Sequence, residues 1–317
     1  FIRCDVYPGA HGMETLEDVL KNSCNDALMA IGAKMGISDF IKYQSLFNFG
    51  SKTGIDLPEE IAGIVYDQKG MNEVELATCT FGQGFTCTMI QQIASFCAVV
   101  NGGYYYQPHV VEKVLDENGK IIKSSDGMLL KQPISNHVSS LLRQYLETTV
   151  SEGTGRKAQV PGYRVGGKTG TAEKIDYTTG TRAAGKYLVS FIGYAPQETP
   201  EVVVYVVIDE VNDYDQAQSS YAVQMAADIM KEIFPYLGIT TVEGYEPTTD
   251  DASTTDGTST DTAAESTTTD STSTGTAYTN GTSGSSDSPY EGYELASDGY
   301  YYGNDGYYDK YGNFYTY

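Results

Sequence analysis

Apolar residues recur at helical spacing in several stretches of the chain and on successive positions in two others. Thr15 opens the first helix. Asp18, three residues on, completes a capping box, and Leu16, Val19 and Leu20 supply the apolar face. Lys21-Asn22 ends it, and Ser23-Cys24-Asn25 forms the junction to a second helix from Asp26. Ala27, Leu28, Ile31 and Met35 pattern that helix until Gly36 closes it. A short helix follows over 38–49, with Phe40, Ile41, Tyr43 and Phe47. Residues 73–80 read as helix-like or irregular chain. Phe81-Gly82-Gln83-Gly84-Phe85 reads as a flexible loop able to approach other backbone closely. Thr88 caps a helix whose stripe is Met89, Ile90, Ile93, Ala94, Cys97 and Val100, stopped by Asn101-Gly102-Gly103. Asn118-Gly119 between alternating runs predicts a two-stranded ribbon over 109–123. Ser135 caps the next helix, faced by Val138, Leu141, Leu142, Tyr145, Leu146 and Thr149 and broken at Gly153-Thr154-Gly155.

Residues 163–173 then read as a strand. The runs KYLVSFIGYA (186–195) and EVVVYVVIDEV (201–211) are apolar on successive residues, so both of their faces should be covered. Their short connection requires antiparallel pairing. The strand at 186–196 or its neighbour is expected to present an unpaired apolar edge. A last helix over 217–234 carries Tyr221, Met225, Ile229 and Ile233 on one face. Strands backed by helices on both sides make an α+β architecture.

Composition divides the chain further. A length of 317 residues corresponds to about two domains. Residues 1–240 are mixed and globular in character. Residues 241–317 hold fourteen acids against Lys310 alone, which accounts for 13 of the 22 net negative charges. Such acidity makes nucleic acid a poor partner. Residues 241–289 are rich in Ser, Thr, Asp and Gly and read as a disordered linker, because they cannot bury enough apolar surface to offset chain entropy. Residues 290–317 carry ten tyrosines among Gly, Asp and Asn and read as a low-complexity tail. No signal peptide or membrane span is visible. The chain opens at Phe1 within what reads as continuous structure, and is expected to be the C-terminal part of a longer protein. Five cysteines (Cys4, Cys24, Cys79, Cys87, Cys97) show no Cys-x-x-Cys pair and no His partner at zinc spacing. They read as buried small side chains, with no metal or cofactor implied.

The chemistry concentrates in Val165-Gly166-Gly167-Lys168-Thr169-Gly170-Thr171-Ala172-Glu173. Glycines would let a substrate backbone lie against the strand edge. The lysine brings a fixed charge, the threonines bring hydroxyls, and the backbone brings N–H donors. That set suits a substrate with a carboxylate and a carbonyl that becomes an oxyanion. Ser23 and Asn25 sit at a helix junction, where a turn can present both to a cleft; alone, the triplet reads as capping residues. A second Lys-Thr-Gly, Lys52-Thr53-Gly54, lies in a loop heading into Pro58 and reads as a surface turn.

Taken in order, HGMETLEDVLKNSCN, FGSKTGIDLPEE, FGQGFTCT, AVVNGG, SEGTGRKA and VGGKTGTAEK resemble the transpeptidase domain of class B penicillin-binding proteins, along about residues 10–238. The resemblance implies the penicillin-binding protein/serine β-lactamase-like fold, an antiparallel sheet flanked by helices, here incomplete at its N-terminus. It implies acyl transfer on D-Ala-D-Ala stem peptides of peptidoglycan, with β-lactams acylating the same serine and cell-wall synthesis proteins of the membrane as partners. It places the protein on the extracytoplasmic face of the cell membrane, held by an N-terminal segment outside this chain. By resemblance, Ser23 relays a proton toward the leaving nitrogen and Asn25 hydrogen-bonds the substrate amide. Lys168 sets the field, and Thr169 and Thr171 grip the carboxylate around Gly170. The Thr171 N–H is one of two oxyanion donors. The family's Ser-x-x-Lys nucleophile has no counterpart here: no serine has a lysine three residues later, and Thr154-x-x-Lys157 and Thr171-x-x-Lys174 fall at positions used otherwise. It is expected upstream of Phe1. Alternatives are a D,D-carboxypeptidase or β-lactamase relative, and a non-catalytic scaffold or β-lactam sensor.

Overall fold

The computed structural model describes residues 4, 6, 9–125, 127–176, 178–179 and 181–246, and in the tail 294–295, 301–302, 306–308 and 314–316. Local capping sets where the helices begin. Thr15 and Asp18 exchange hydrogen bonds at the start of α1 (Leu16–Asn22), closing the capping box. Ser23 ends α1 in the left-handed region, at φ 55°, so the chain turns directly into α2 (Asn25–Leu46). Gly36 (φ 77°) breaks α2 into the two helices that the sequence predicts. α3 (Glu73–Thr80) is regular helix, because Asn72 and Glu75 form a capping box ahead of it. Thr88 and Gln91 do the same for α4 (Met89–Val100).

Four short strands follow: β1 (Tyr105–Tyr106), β2 (Lys113–Leu115), β3 (Ile121–Ser124) and β4 (Leu129–Lys131). The expected ribbon is the antiparallel pair β2–β3, and β4 returns to pair with β1. Ser135 caps α5 (Asn136–Ser151), and a 3-10 turn (Arg156–Ala158) leads to β5 (Gly166–Asp176). β6 (Thr181–Ala195), β7 (Val202–Asp209) and α6 (Ser220–Tyr236) complete the domain. The sheet order is β5-β6-β7, all antiparallel, so β6 is central and β7 is the apolar edge among the described residues.

Successive apolar residues on β6 have partners on both sides. Val189, Phe191 and Ala195 pack with Val204, Val206 and α6, while Ile192 and Tyr194 pack with Phe96 and Val100 of α4 and Leu146 of α5. Burying Phe191 completely stabilises the sheet by about 2–3 kcal/mol. Tyr194 is also fully buried, and its hydroxyl donates to the Arg143 carbonyl of α5 at 2.8 Å.

Two helix faces differ from the sequence reading. On α6 the buried side is Ala222, Val223, Ala226, Ala227, Met230 and Phe234, whereas Tyr221, Met225 and Ile229 are exposed and Ile233 is partly covered. Small residues let the helix axis approach the sheet, which the bulkier stripe would prevent. On α4 the buried set includes Gln91 and Ser95, and Met89 is exposed. The Gln91 amide nitrogen donates to the carbonyls of Ser51 (2.7 Å) and Ala62 (2.8 Å), so a polar side chain fastens the preceding loops to the helix.

The domain also runs further than its composition suggests. Ile239 is buried, the Val242 N–H donates to the Gly162 carbonyl at 2.8 Å, and the Gly162 N–H donates to the Tyr245 carbonyl at 3.2 Å. One compact unit accordingly spans 1–249 and a second spans 250–317. The expected linker lies mostly outside the described residues. Within the tail, β8 (Glu294–Leu295), β9 (Tyr301–Tyr302), β10 (Gly306–Tyr308) and β11 (Phe314–Thr316) form an antiparallel meander. A composition reading sees low complexity there; tyrosine's strand preference and the Gly/Asn/Asp breaks between paired runs account for the strands. No helix among the described residues is long and apolar enough to cross a membrane.

Candidate active site

Three remote pieces of chain meet at the start of β5. The first is the end of α1. The second is the turn after α5, where the Thr154 N–H donates to the Lys21 carbonyl at 3.2 Å. Gly153 is required there, because a Cβ would stand 2.5 Å from the Lys21 carbonyl oxygen. The third is β5 itself, locked to β6 with Thr169 opposite Phe191 and Thr171 opposite Val189. A Cβ on Gly167 would meet Phe191 at 2.4 Å and the Ile192 carbonyl at 2.7 Å, so the glycine lets β5 lie tight on its neighbour.

This packing brings Lys168 to Ser23 across 145 residues of sequence. The Lys168 ammonium donates to Ser23 Oγ at 2.9 Å, to the Thr169 carbonyl at 3.2 Å and to Thr169 Oγ1 at 3.5 Å. Thr169 Oγ1 lies 3.0 Å from Thr154 Oγ1. All the contacts of the Lys168 head are neutral oxygens, and no carboxylate pairs with it among the described residues. Burial therefore brings the Lys168 amine down to about 8 from its usual 10.5. A lysine so held stays mostly cationic at neutral pH yet can release its proton at little cost, which suits proton traffic through the adjoining hydroxyl.

Thr171 sits two residues along the same strand. Its carbonyl accepts from the Gln83 side chain at 3.4 Å and its hydroxyl donates to the Ala217 carbonyl at 3.4 Å. In a strand, a residue's C=O and N–H project to the same side. The Thr171 N–H thus points to the free edge of β5, where a substrate carbonyl could lie. Gly170 faces Ser190, whose hydroxyl a Cβ would meet at 2.6 Å. Asn25, at the first position of α2, has no side-chain hydrogen bond among the described residues and shares none with Ser23 or Lys168.

The structure thus joins Ser23, Lys168 and Thr169 by direct contact, sets Gly170 and Thr171 on the same strand, and leaves Asn25 beside them only through the chain. Sequence reasoning missed two participants. Thr154 was read as part of a helix break, although a hydroxyl between glycines was a usable signal. Gln83 had one as well, since its loop was read as able to reach other backbone. Lys52-Thr53-Gly54 lies in an irregular loop, held by Glu60 and by the Gln107 side chain, which donates to the Gly54 carbonyl. The Thr53 N–H and hydroxyl donate to Glu60 at 2.6 Å and 2.5 Å, and Thr53 is buried rather than at the surface. Two of the cysteines also have a histidine neighbour that spacing in the sequence does not show. His11 Nδ1 lies 3.7 Å from Cys4 Sγ, and Cys24 Sγ lies 3.9 Å from Cys4 Sγ, through folding rather than through spacing in the sequence.

A family profile described as the penicillin binding protein transpeptidase domain matches residues 5–231. The chain is 42% identical over 232 residues to stage V sporulation protein D of Bacillus subtilis, covering 73% of this chain and 36% of that protein. It is 27% identical to the probable peptidoglycan D,D-transpeptidase PenA of Neisseria meningitidis, covering 65% of this chain and 32% of that one. The chain therefore spans about a third of the length of these curated relatives. Penicillin-binding protein 3 of Mycobacterium tuberculosis, solved in complex with ampicillin, superposes with a TM-score of 0.67 at 24% identity, over 74% of this chain and 54% of that one. With the profile running across most of the domain and the fold shared, the chain belongs to the penicillin-binding protein transpeptidase family.

Proposed function

We propose that this domain serves peptidoglycan crosslinking as a serine D,D-transpeptidase, working with a Ser-x-x-Lys nucleophile carried on a segment ahead of Phe1. The observation that carries the reading is the 2.9 Å contact between the Lys168 ammonium and Ser23 Oγ, placed on the strand whose Thr171 N–H faces outward. In the reaction, the nucleophile's oxygen attacks the D-Ala-D-Ala carbonyl. The Thr171 N–H stabilises the oxyanion. Thr169 and Thr171 hold the terminal carboxylate, with Thr154 fixing the Thr169 hydroxyl. Asn25, whose amide is uncommitted, receives the substrate amide. As the peptide bond breaks, the proton given up by the nucleophile's hydroxyl reaches the leaving D-Ala nitrogen through Ser23, with Lys168 supplying the field. An amine of a neighbouring stem peptide then takes the acyl group and frees the serine. β-Lactams would acylate by the same route. The site of action is the outer face of the cell membrane, alongside membrane proteins of wall synthesis.

The test uses the longer protein with its upstream segment and a labelled penicillin. Ser23→Ala should slow acylation by about 10²–10⁴-fold, the usual weight of a group that moves a proton in the transition state, while binding before acylation changes little. An unchanged acylation rate with weakened binding would reduce Ser23 to a capping residue and remove the reading's support. A stoichiometric adduct on any serine of residues 1–317 alone would place the nucleophile elsewhere than proposed.

A further inference from the structure

Just behind the Ser23–Lys168 contact, a cluster of side chains has no part in the acyl-transfer reading. Cys4, Cys24 and His11 offer two sulfurs and one ring nitrogen, all within 4.8 Å of one another. Cys4 and Cys24 are buried and both are free thiols. Cys24 occupies the N-cap position of α2 and makes no capping hydrogen bond with its side chain; its sulfur turns to Cys4. Glu14 stands beside the group without belonging to it. Its Oε1 lies 3.9 Å from His11 Nδ1, its side chain is only 5% exposed, and it also contacts the Cys24 thiol.

We propose that Cys4, His11 and Cys24 form a site for a thiophilic divalent cation, zinc by preference, with Glu14 beside the ligands rather than among them. The spacing fits. Tetrahedral zinc, with Zn–S near 2.3 Å and Zn–N near 2.0–2.1 Å, holds two sulfurs about 3.8 Å apart and a sulfur and a nitrogen about 3.6 Å apart. The observed separations are 3.9 Å for the sulfurs and 3.7 Å for Cys4 Sγ and His11 Nδ1. Two thiolates with one imidazole select zinc over magnesium, calcium or manganese, which prefer oxygen. An orienting partner is in place as well: the Asn22 side-chain amide donates to Glu14 Oε1 at 2.7 Å and holds the carboxylate toward the cluster. On binding, the two thiol protons leave to solvent and the ion joins three side chains, with a water in the fourth position. Cys24 lies between Ser23 and Asn25, so the ion would pin the α1–α2 junction that presents both, and would tie the segment at Cys4 to that junction. This goes beyond the transpeptidase reading and does not depend on it.

The purified chain, reduced with a phosphine and kept free of oxygen, is titrated with Zn²⁺ against a chromophoric chelator. A parallel titration with Co²⁺ reports thiolate-to-metal charge transfer. One equivalent should bind, with a cobalt spectrum of tetrahedral sulfur–nitrogen type and a rise in thermal midpoint on adding zinc. Cys4→Ser and His11→Ala should each weaken binding by more than about 100-fold, and Glu14→Gln or Asn22→Ala by about 10–100-fold. Cys97→Ser, outside the cluster, should leave affinity unchanged. His11 is only half-buried and precedes α1, so His11→Ala keeps the proposal testable if a cysteine variant fails to fold; circular dichroism checks this. No zinc binding by the reduced chain would overturn the proposal, as would zinc held equally well by His11→Ala. A Cys4–Cys24 disulfide forming in air as readily with one equivalent of zinc as without it would also overturn it.

Discussion

Replacing Lys168 with methionine should stabilise the folded chain at neutral pH, and the gain should fade as pH rises. Methionine keeps most of the side chain's length while removing its charge. The Lys168 amine sits at about 8 in the fold, against 10.5 for an exposed lysine, and the first cause is burial among neutral groups. That difference corresponds to about 3 kcal/mol of penalty on keeping the ammonium inside. The sign follows from which state holds the proton. Below about 8 both states are protonated and the penalty is constant. Between about 8 and 10.5 the unfolded chain binds more protons than the folded one, so the stability of the wild type rises with pH. Above that range the penalty is gone. Lys168→Met carries no such group, so its advantage should be largest at pH 6–7, fall by about 1 kcal/mol by pH 9, and fall by about 2 kcal/mol by pH 9.5. Loss of the hydrogen bonds to Ser23 and Thr169 offsets part of the gain, by about 1–2 kcal/mol, but that loss does not vary with pH in this way. Urea unfolding of both chains across pH 6–9.5 reads the difference directly, because the tyrosines and other titrating groups are common to both. A difference that stays flat over that range would refute the reasoning, since it would mean that the Lys168 head is solvated in the fold.

Two further outcomes follow from close contacts and from the domain's end. Gly167→Ala should cost about 1–3 kcal/mol in urea unfolding, because its Cβ meets the buried Phe191 ring and a backbone carbonyl. Gly170→Ala should cost less than about 1 kcal/mol, since the Ser190 hydroxyl that it meets can rotate away; equal costs would show that the strand is not held as described. Ending the chain after Thr249 should leave the unfolding midpoint where it is, whereas ending it after Gly238 should cost about 2–4 kcal/mol through loss of buried Ile239 and the hydrogen bonds to Gly162. Matching midpoints for the two truncations would put the boundary back near residue 240, where composition alone sets it.

The helices were legible because their starts are local chemistry. Thr15, Thr88 and Ser135 each accept from a backbone N–H within three residues, and nothing distant is needed to form the cap. The pairing of β6 with β7 was legible for a similar reason, since the short link between them permits only an antiparallel return. Burial was less legible. On α6 the largest apolar residues made the most regular stripe, yet the helix packs through Ala222, Ala226 and Ala227, where the absence of bulk allows close approach. On α4 a hydrophobicity pattern cannot reveal Gln91, because its burial depends on carbonyls of Ser51 and Ala62 far back in the chain. The tail strands were missed because strand preference in tyrosine pairs does not register in a composition count.

The candidate site shows the same division in a sharper form. Residue types could be read from the chain because the chemistry restricts them: a lysine between glycines, a serine and an asparagine at a turn, threonines on a strand edge. Their proximity could not, because it depends on contacts that have no pattern. Ser23 points toward Lys168 only because it takes the left-handed conformation at the end of α1, and only because Gly153 lets the turn after α5 close on the Lys21 carbonyl. That closure also delivers Thr154 to Thr169. The cysteine cluster arises at the same junction: the turn that exposes Ser23 on one side directs Cys24 inward on the other, toward Cys4 and His11. Adjacent residues in a tight turn must face different ways, so a junction that presents a reactive hydroxyl also buries its neighbour.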